Sequence, residues 1–303
     1  MKIGYPCINT TIGCKSSRTF RLKSYSEKRL MKTVENNLVC LGRILEFNLK
    51  HNILFFRITS DLVPFASHPI CKFDWQGSFG KRFKAIGDFI KSYGMRISMH
   101  PDQFTLINSL DNRVFENSVR ELAYHAQVLD LMELDTSAKI QIHVGGVYKD
   151  KEKSMTRFAE RFERLDEIVK RRLVIENDDN RYSLRDCLQI SAKTRVPVLI
   201  DVFHHGVNSS GETIQEAFGL FTKTWKARDG LPMVDYSSQK VGHRMGKHVE
   251  TINLEHFRRF LEETKPFDFD IMLEIKDKEM SALKAIEIAS QDNRFLVAKK
   301  RAS

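Results

Sequence analysis

Val196-Pro197-Val198-Leu199-Ile200-Asp201-Val202-Phe203-His204-His205 opens as an aliphatic run headed by a proline and breaks abruptly into an acid and two imidazoles. An apolar run of this length, without polar alternation, reads as a strand buried on both faces, the kind found in a parallel sheet. Asp201 and His204, two ligand-type side chains three residues apart, stand where that strand surfaces. Whether the other strands end the same way decides the fold and the site together.

Seven further stretches read as strands: 2–5, 52–58, 95–100, 138–143, 173–176, 231–235 and 269–274. Helical periodicity lies between and after them, at about 27–50, 78–93, 112–133, 151–171, 183–193, 212–225, 253–264 and 279–290. In the first of these, Leu30, Val34, Leu38, Leu41, Leu45 and Leu49 recur every three or four positions. Strict alternation of strand and helix predicts a parallel sheet with right-handed crossovers. Eight such units in 303 residues predict an α/β protein built as a single (β/α)8 TIM barrel. An open doubly wound sheet is the rival arrangement. One domain is expected over 1–303, with the barrel in 1–292 and a basic tail in 293–303 that carries Lys299-Lys300-Arg301.

The composition is that of a globular chain, 42% hydrophobic and 29% charged, with a formal net charge of +10. A basic balance of that size favours a polyanionic partner. Cys7, Cys14, Cys40, Cys71 and Cys187 are scattered and odd in number, so neither a disulfide framework nor a zinc knuckle is expected, and a reducing, cytoplasmic setting fits. No stretch approaches membrane-spanning length, and the N-terminus has no apolar leader.

In such a barrel the active site is built from the C-terminal ends of the strands. Those ends carry Tyr5, Asp61 or His68 just beyond, His100, His143, Glu176, Asp201 with His204, Asp235 and Glu274. Any one of them could be a structural residue: a helix cap, or half of an ion pair. Nearly every strand ending on an acid or an imidazole is a different matter. Imidazole and carboxylate together suit Zn²⁺, Mn²⁺ or Fe²⁺, and clustered divalent ions clamp the attacking and leaving oxygens of a phosphoryl displacement. His51, His125 and His256 fall within helices, and His205 should point away from its neighbour; all four are read as structural.

At this point Gly4-Tyr5-Pro6-Cys7-Ile8-Asn9, Pro64-Phe65-Ala66-Ser67-His68-Pro69, His100-Pro101-Asp102-Gln103-Phe104, Glu176-Asn177-Asp178-Asp179 and Met272-Leu273-Glu274-Ile275-Lys276-Asp277-Lys278-Glu279 together resemble the UV damage endonucleases, relatives of endonuclease IV and the sugar isomerases. The resemblance runs from about residue 2 to 280. It implies a repair endonuclease acting on damaged double-stranded DNA, cutting immediately 5′ of pyrimidine dimers, 6-4 photoproducts and abasic sites and leaving a 3′-hydroxyl and a 5′-phosphate. It also implies three divalent ions, manganese foremost with zinc or magnesium as alternatives, on His100, His143, Glu176, Asp201, His204, His248 and Glu274, with His68 in or near the shell. Gln103 and Phe104 match the pair that wedges into the duplex, and Tyr5 and Asn9 match residues that probe the lesion. Lys240, Arg244 and Lys247 on one basic loop are expected to hold phosphates without reading sequence. No obligate protein partner is implied.

The chain departs from the family pattern at Met233, where a modified lysine is usual, at Asp235, where a histidine is usual, and at Phe104, where a tyrosine is usual. Asp235 is therefore expected to supply the missing anionic ligand. The catalytic set expected is Glu176, as bridging ligand, with His100, His143, Asp201 and Glu274. An enzyme restricted to abasic sites, a metal-dependent sugar isomerase and a non-catalytic damage binder are the alternatives.

Overall fold

The computed structural model describes residues 1–240 and 242–298. Eight parallel strands close into a ring: β1 (Ile3–Pro6), β2 (Phe55–Ile58), β3 (Arg96–Met99), β4 (Lys139–His143), β5 (Leu173–Glu176), β6 (Val198–Asp201), β7 (Met233–Tyr236) and β8 (Asp270–Leu273). The last strand pairs with the first through Ile3 against Ile271 and Gly4 against Met272, which rules out the open sheet. Every strand residue but His143 is buried, because one face fills the barrel and the other lies under helices. That double burial is why the strands read as unbroken apolar runs.

The helices are α1 (Glu27–Lys50), α2 (Trp75–Ser92), α3 (Asn112–Leu131), α4 (Lys151–Glu163), α5 (Glu167–Lys170), α6 (Leu184–Thr194), α7 (Val202–Val207), α8 (Ile214–Phe221), α9 (Leu254–Glu263) and α10 (Glu279–Ala289). α1 buries Leu30, Val34, Leu38, Leu41 and Leu45 of the stripe its periodicity predicts, leaves Leu49 half-buried, and starts where the Ser26 hydroxyl accepts from the Arg29 amide. The single helix expected over 151–171 is two, α4 and α5. Phe158, Phe162, Leu165 and Val169 keep helical spacing across the break, so periodicity could not show it; extended backbone at Asp166 makes it. The helix expected over 212–225 is shorter, α8, and is followed by 3-10 turns at 222–224 and 227–229.

A further expectation is corrected. Cys14 and Cys40 form a disulfide, which ties the loop after β1 to α1; their separation of 26 residues gave no spacing signal. Residues 293–298, the start of the expected basic tail, are anchored: the buried Arg294 donates to the carbonyls of Leu261, Thr264 and Phe267, and the Leu296 amide to Met1. Lys299-Lys300-Arg301 lies outside the described residues. At this N-terminal end of the barrel, buried Arg96 meets Asp270 at 2.9 Å and Lys139 meets Asp229 at 2.5 Å. Among the described residues no helix is long and apolar enough to cross a membrane.

Candidate metal centre

Two groups of donors converge at the opposite, C-terminal mouth. His100, His143 and Glu176 present ligand atoms within 4.8 Å of one another, as do Asp201, Asp235 and Glu274. The first group comes from the ends of β3, β4 and β5, the second from the ends of β6, β7 and β8. The imidazoles line up along the mouth, with ring centres 5.2 Å apart for His100 and His143, 6.3 Å for His143 and His204, and 5.8 Å for His204 and His248.

The imidazoles are oriented from behind. Nδ1 of His100 lies 2.8 Å from the Pro101 carbonyl, Nδ1 of His204 lies 3.2 Å from that of Asn177, and Nδ1 of His248 lies 3.1 Å from that of Glu274. A carbonyl only accepts, so each Nδ1 donates, and Nε2 is the ring nitrogen available to a cation. This is how metal-ligating histidines are held. Asn177 also stitches β5 to β6, donating to the Asp201 carbonyl and accepting from its amide.

The carboxylates are short of partners. Glu176 is 2% exposed, with Oε1 2.9 Å from His143 Nδ1 and 3.8 Å from His100 Nε2, while Oε2 is buried with no hydrogen bond. Asp201 Oδ1 caps the short helix α7 by accepting from the His204 amide, whereas Oδ2 is likewise buried and unmatched. Buried carboxylate oxygens left bare cost free energy unless something fills the gap. A divalent cation fits these oxygens and the free Nε2 atoms.

Burial and electrostatics set the protonation states. Burial opposes a charge on His143, but Glu176 beside it prevails and raises its pKa to about 9. Glu176 is driven well below its usual range, against the burial penalty, by His143 and His100. Burial, with repulsion from Glu274 and Glu176, lifts Asp201 to about 7 despite His204. A cation that takes His143 as ligand must displace its proton, so affinity should strengthen as pH rises and level off above about 9. Manganese titrations at pH 7.5 in buffers of different ionisation enthalpy should show release of at least one proton per chain, since the raised His204 and Asp201 add to that of His143. A binding heat independent of buffer would contradict this arrangement.

Asp235, expected as an anionic ligand, falls in the second group but is also engaged by Arg57. It is fully buried, and both its oxygens accept from Arg57 Nη2, at 2.8 and 2.7 Å, while Gln141 Nε2 donates to Oδ2 at 2.6 Å. Arg57 Nη1 reaches Glu274 Oε1 at 2.5 Å. Burial alone would raise Glu274, yet the guanidinium pulls it down to about 2. Neither Arg57 nor Gln141 figured among the residues expected from the sequence.

The remaining expected residues divide. Gln103 and Phe104 lie on the exposed loop after β3, and Phe104 is 72% exposed. Met245, on the basic loop after β7 and so across the ring from Phe104, is 74% exposed. His68 is exposed and outside both groups; its Nδ1 accepts from the Ile70 amide, and it faces a cleft of about 520 Å³ shared with Phe104, Arg113 and Arg120. Tyr5 and Asn9 are buried. The Tyr5 hydroxyl donates to Asn48 and accepts from Asn9, whose own oxygen gathers the amides of Thr11 and Ile12. Both shape the loop that follows β1 rather than offering atoms to a ligand. Lys240 is paired with Glu250 at 2.6 Å, Lys247 lies beside His243, and Arg244 is exposed.

A parallel eight-stranded barrel with two donor groups at its C-terminal mouth defines the class: a (β/α)8 barrel whose strand ends could hold cations. Within it, this chain belongs to the UV-endonuclease UvdE family, whose model matches residues 1–298. A UV DNA damage endonuclease of Clostridium perfringens is 41% identical over 99% of this chain and 73% of its own length. One from Bacillus thuringiensis is 35% identical over 90% of this chain and 89% of its own. A crystal structure titled SacUVDE superposes with a TM-score of 0.93 at 47% identity, covering 97% of this chain and all of that one. Endonuclease IV from Thermus thermophilus, at 16% identity and a TM-score of 0.57 over 82% of this chain and 93% of its own, shares the fold.

Proposed function

We propose that this chain is a repair endonuclease that hydrolyses the phosphodiester immediately 5′ of UV photoproducts in duplex DNA, with abasic sites as a further substrate, leaving a 3′-hydroxyl and a 5′-phosphate. The observation that carries this reading is a pair of donor groups at the mouth with an exposed Gln103–Phe104 loop rising directly after His100. Divalent ions held there would supply Lewis acidity to the phosphoryl group and the attacking water. His100, His143 and Glu176 would hold one ion; Asp201 and Glu274, with His204 and His248, would hold the other. Glu176 and Asp201 each keep a buried carboxylate oxygen without a hydrogen-bond partner, and those two oxygens would be open to the ions.

Charge favours two ions over the three implied by the resemblance. Four carboxylates set against Arg57 and two divalent ions leave one net positive charge, which a phosphodiester matches. A third ion would leave three. Asp235, with both oxygens on Arg57, serves as the partner of that guanidinium rather than as a ligand.

Phe104 would enter the stack while damaged bases, cheaper to unstack than intact ones, turn outward. Base–aromatic stacking is worth about 1–3 kcal/mol, so Phe104→Ala should weaken binding to a photoproduct duplex by roughly 5- to 150-fold, while Phe104→Tyr keeps it. Equal affinity of Phe104→Ala and the unaltered protein, by fluorescence anisotropy, would remove the wedge. The activity itself is tested with purified protein, Mn²⁺ and an end-labelled duplex carrying one cyclobutane dimer, mapping any nick to the nucleotide. An intact dimer duplex with cutting at an abasic site would restrict the enzyme to abasic DNA; turnover of an aldose would make it an isomerase.

A further inference from the structure

Lys278 has φ 50° and ψ −116°, a conformation open essentially to glycine. It lies in the turn between β8 and α10, four residues beyond Glu274. The surroundings over-determine that turn. The Asp277 amide donates to the Glu250 carbonyl at 3.1 Å, the Lys278 amide to Ile275 at 3.2 Å, and the Ser281 hydroxyl to the Asp277 carboxylate. On the far side Glu279, fully buried, accepts from the Thr10 amide at 2.8 Å and hydroxyl at 2.6 Å. Strain of this kind in a non-glycine residue collects at functional sites, where the fold is made to hold a side chain in one place.

The side chain held there is half-buried, and its ammonium has no ionic partner among the described residues. Its basic neighbours do: Lys240 and Lys276 both meet Glu250, at 2.6 and 3.6 Å. The turn that leaves β8 after Glu274 carries Lys278 at the C-terminal mouth, on its β1–β8 side. A half-buried ammonium without an anion, beside a centre that takes a phosphodiester, is an anion site awaiting its ligand.

We propose that Lys278 grips a backbone phosphate of the damaged strand next to the bond being cut. This rests on the reading of the chain as a DNA endonuclease. The glycine-type backbone is what aims the ammonium, and lysine is kept there at the expense of local stability. The contact reads no base; it fixes the register of the strand over the donor groups.

Lys278→Met retains the side-chain bulk and the strain but loses the charge. Its single-turnover incision of a dimer duplex should fall by roughly ten- to a hundredfold, as for loss of a charge-assisted contact. The slope of log affinity against log salt should shrink by about one unit. Lys278→Arg should keep most of the rate. Lys278→Gly should cut as poorly as Lys278→Met while melting no lower than the unaltered protein, because glycine takes this conformation freely. An unchanged rate and salt slope in Lys278→Met would overturn the proposal, and so would a Lys278→Gly protein that melts lower, since the side chain would then be structural. An unaltered protein that leaves the dimer duplex intact would instead refute the endonuclease reading.

Discussion

Glu176→Gln should still bind a photoproduct duplex and no longer cut it. The carboxylate sits at the end of β5 with 2% exposure, one oxygen 2.9 Å from His143 and the other buried without a partner. Glutamine keeps the shape, removes the charge and places an N–H donor or a neutral carbonyl where two cations would converge. Loss of a residue that merely supports a ligand weakens a metal site by about 10–100-fold; loss of a shared ligand should lower incision by more than the upper figure. Duplex affinity depends on the rim and on phosphate contacts, so gel-shift affinity for damaged DNA should be retained. His143 supplies a second readout. Its raised pKa depends on the Glu176 charge prevailing over burial, so in the metal-free variant its NMR titration midpoint should fall back from about 9. Retained incision in saturating Mn²⁺ would show that the centre does not run through Glu176.

The strand ends were legible because a parallel barrel leaves polar residues few places to go. Each strand is apolar while it is covered on both faces, so an acid or imidazole at its C-terminal end marks the mouth, and His100, His143, Glu176, Asp201 and Glu274 all stand there. What stayed hidden has particular causes. Arg57 lies inside Ile53-Leu54-Phe55-Phe56-Arg57-Ile58, where the apolar run masks it. A lone cation in a strand buried on both faces must have a buried anion, and that signal, if followed, leads to Asp235 and Glu274. Tyr5 and Asn9 are of residue types that serve equally to touch a base or to build a hydrogen-bond chain; only the packing of α1, which brings Asn48 to the Tyr5 hydroxyl, decides it. His68 follows the second strand as a ligand would, but its loop turns outward toward α3, and the ring leaves the centre. Asp201 was open to reading as a helix cap or as a ligand. It is a cap through Oδ1, and through Oδ2 it is free for the other role.

Arg57→Met should produce a protein that is markedly less stable without metal and takes up one more divalent ion with it. The guanidinium is 3% exposed and serves Asp235 through Nη2 and Glu274 through Nη1. Removing one member of a buried ion pair strands the other charge and costs about 3–5 kcal/mol, so the metal-free melting temperature should drop on the order of 10 °C. The pH dependence has a definite sign. The pKa of Glu274 is depressed to about 2 from an ordinary 4.5, so the stability Arg57 lends it is present above 4.5 and lost as pH falls through 2. The deficit of Arg57→Met should therefore be widest at neutral pH and narrow in acid, where the stranded carboxyls are protonated. Adding Asp235→Asn should recover part of the loss, because it removes one of those carboxylates. If the guanidinium serves as a fixed cation, the unaltered chain should bind two Mn²⁺ ions by calorimetric titration and Arg57→Met should bind three, the third restoring thermal stability by mass action. A stoichiometry of three in both proteins would mean that Asp235 and Glu274 hold a metal alongside the guanidinium, and that the charge balance drawn for the two-ion centre is wrong.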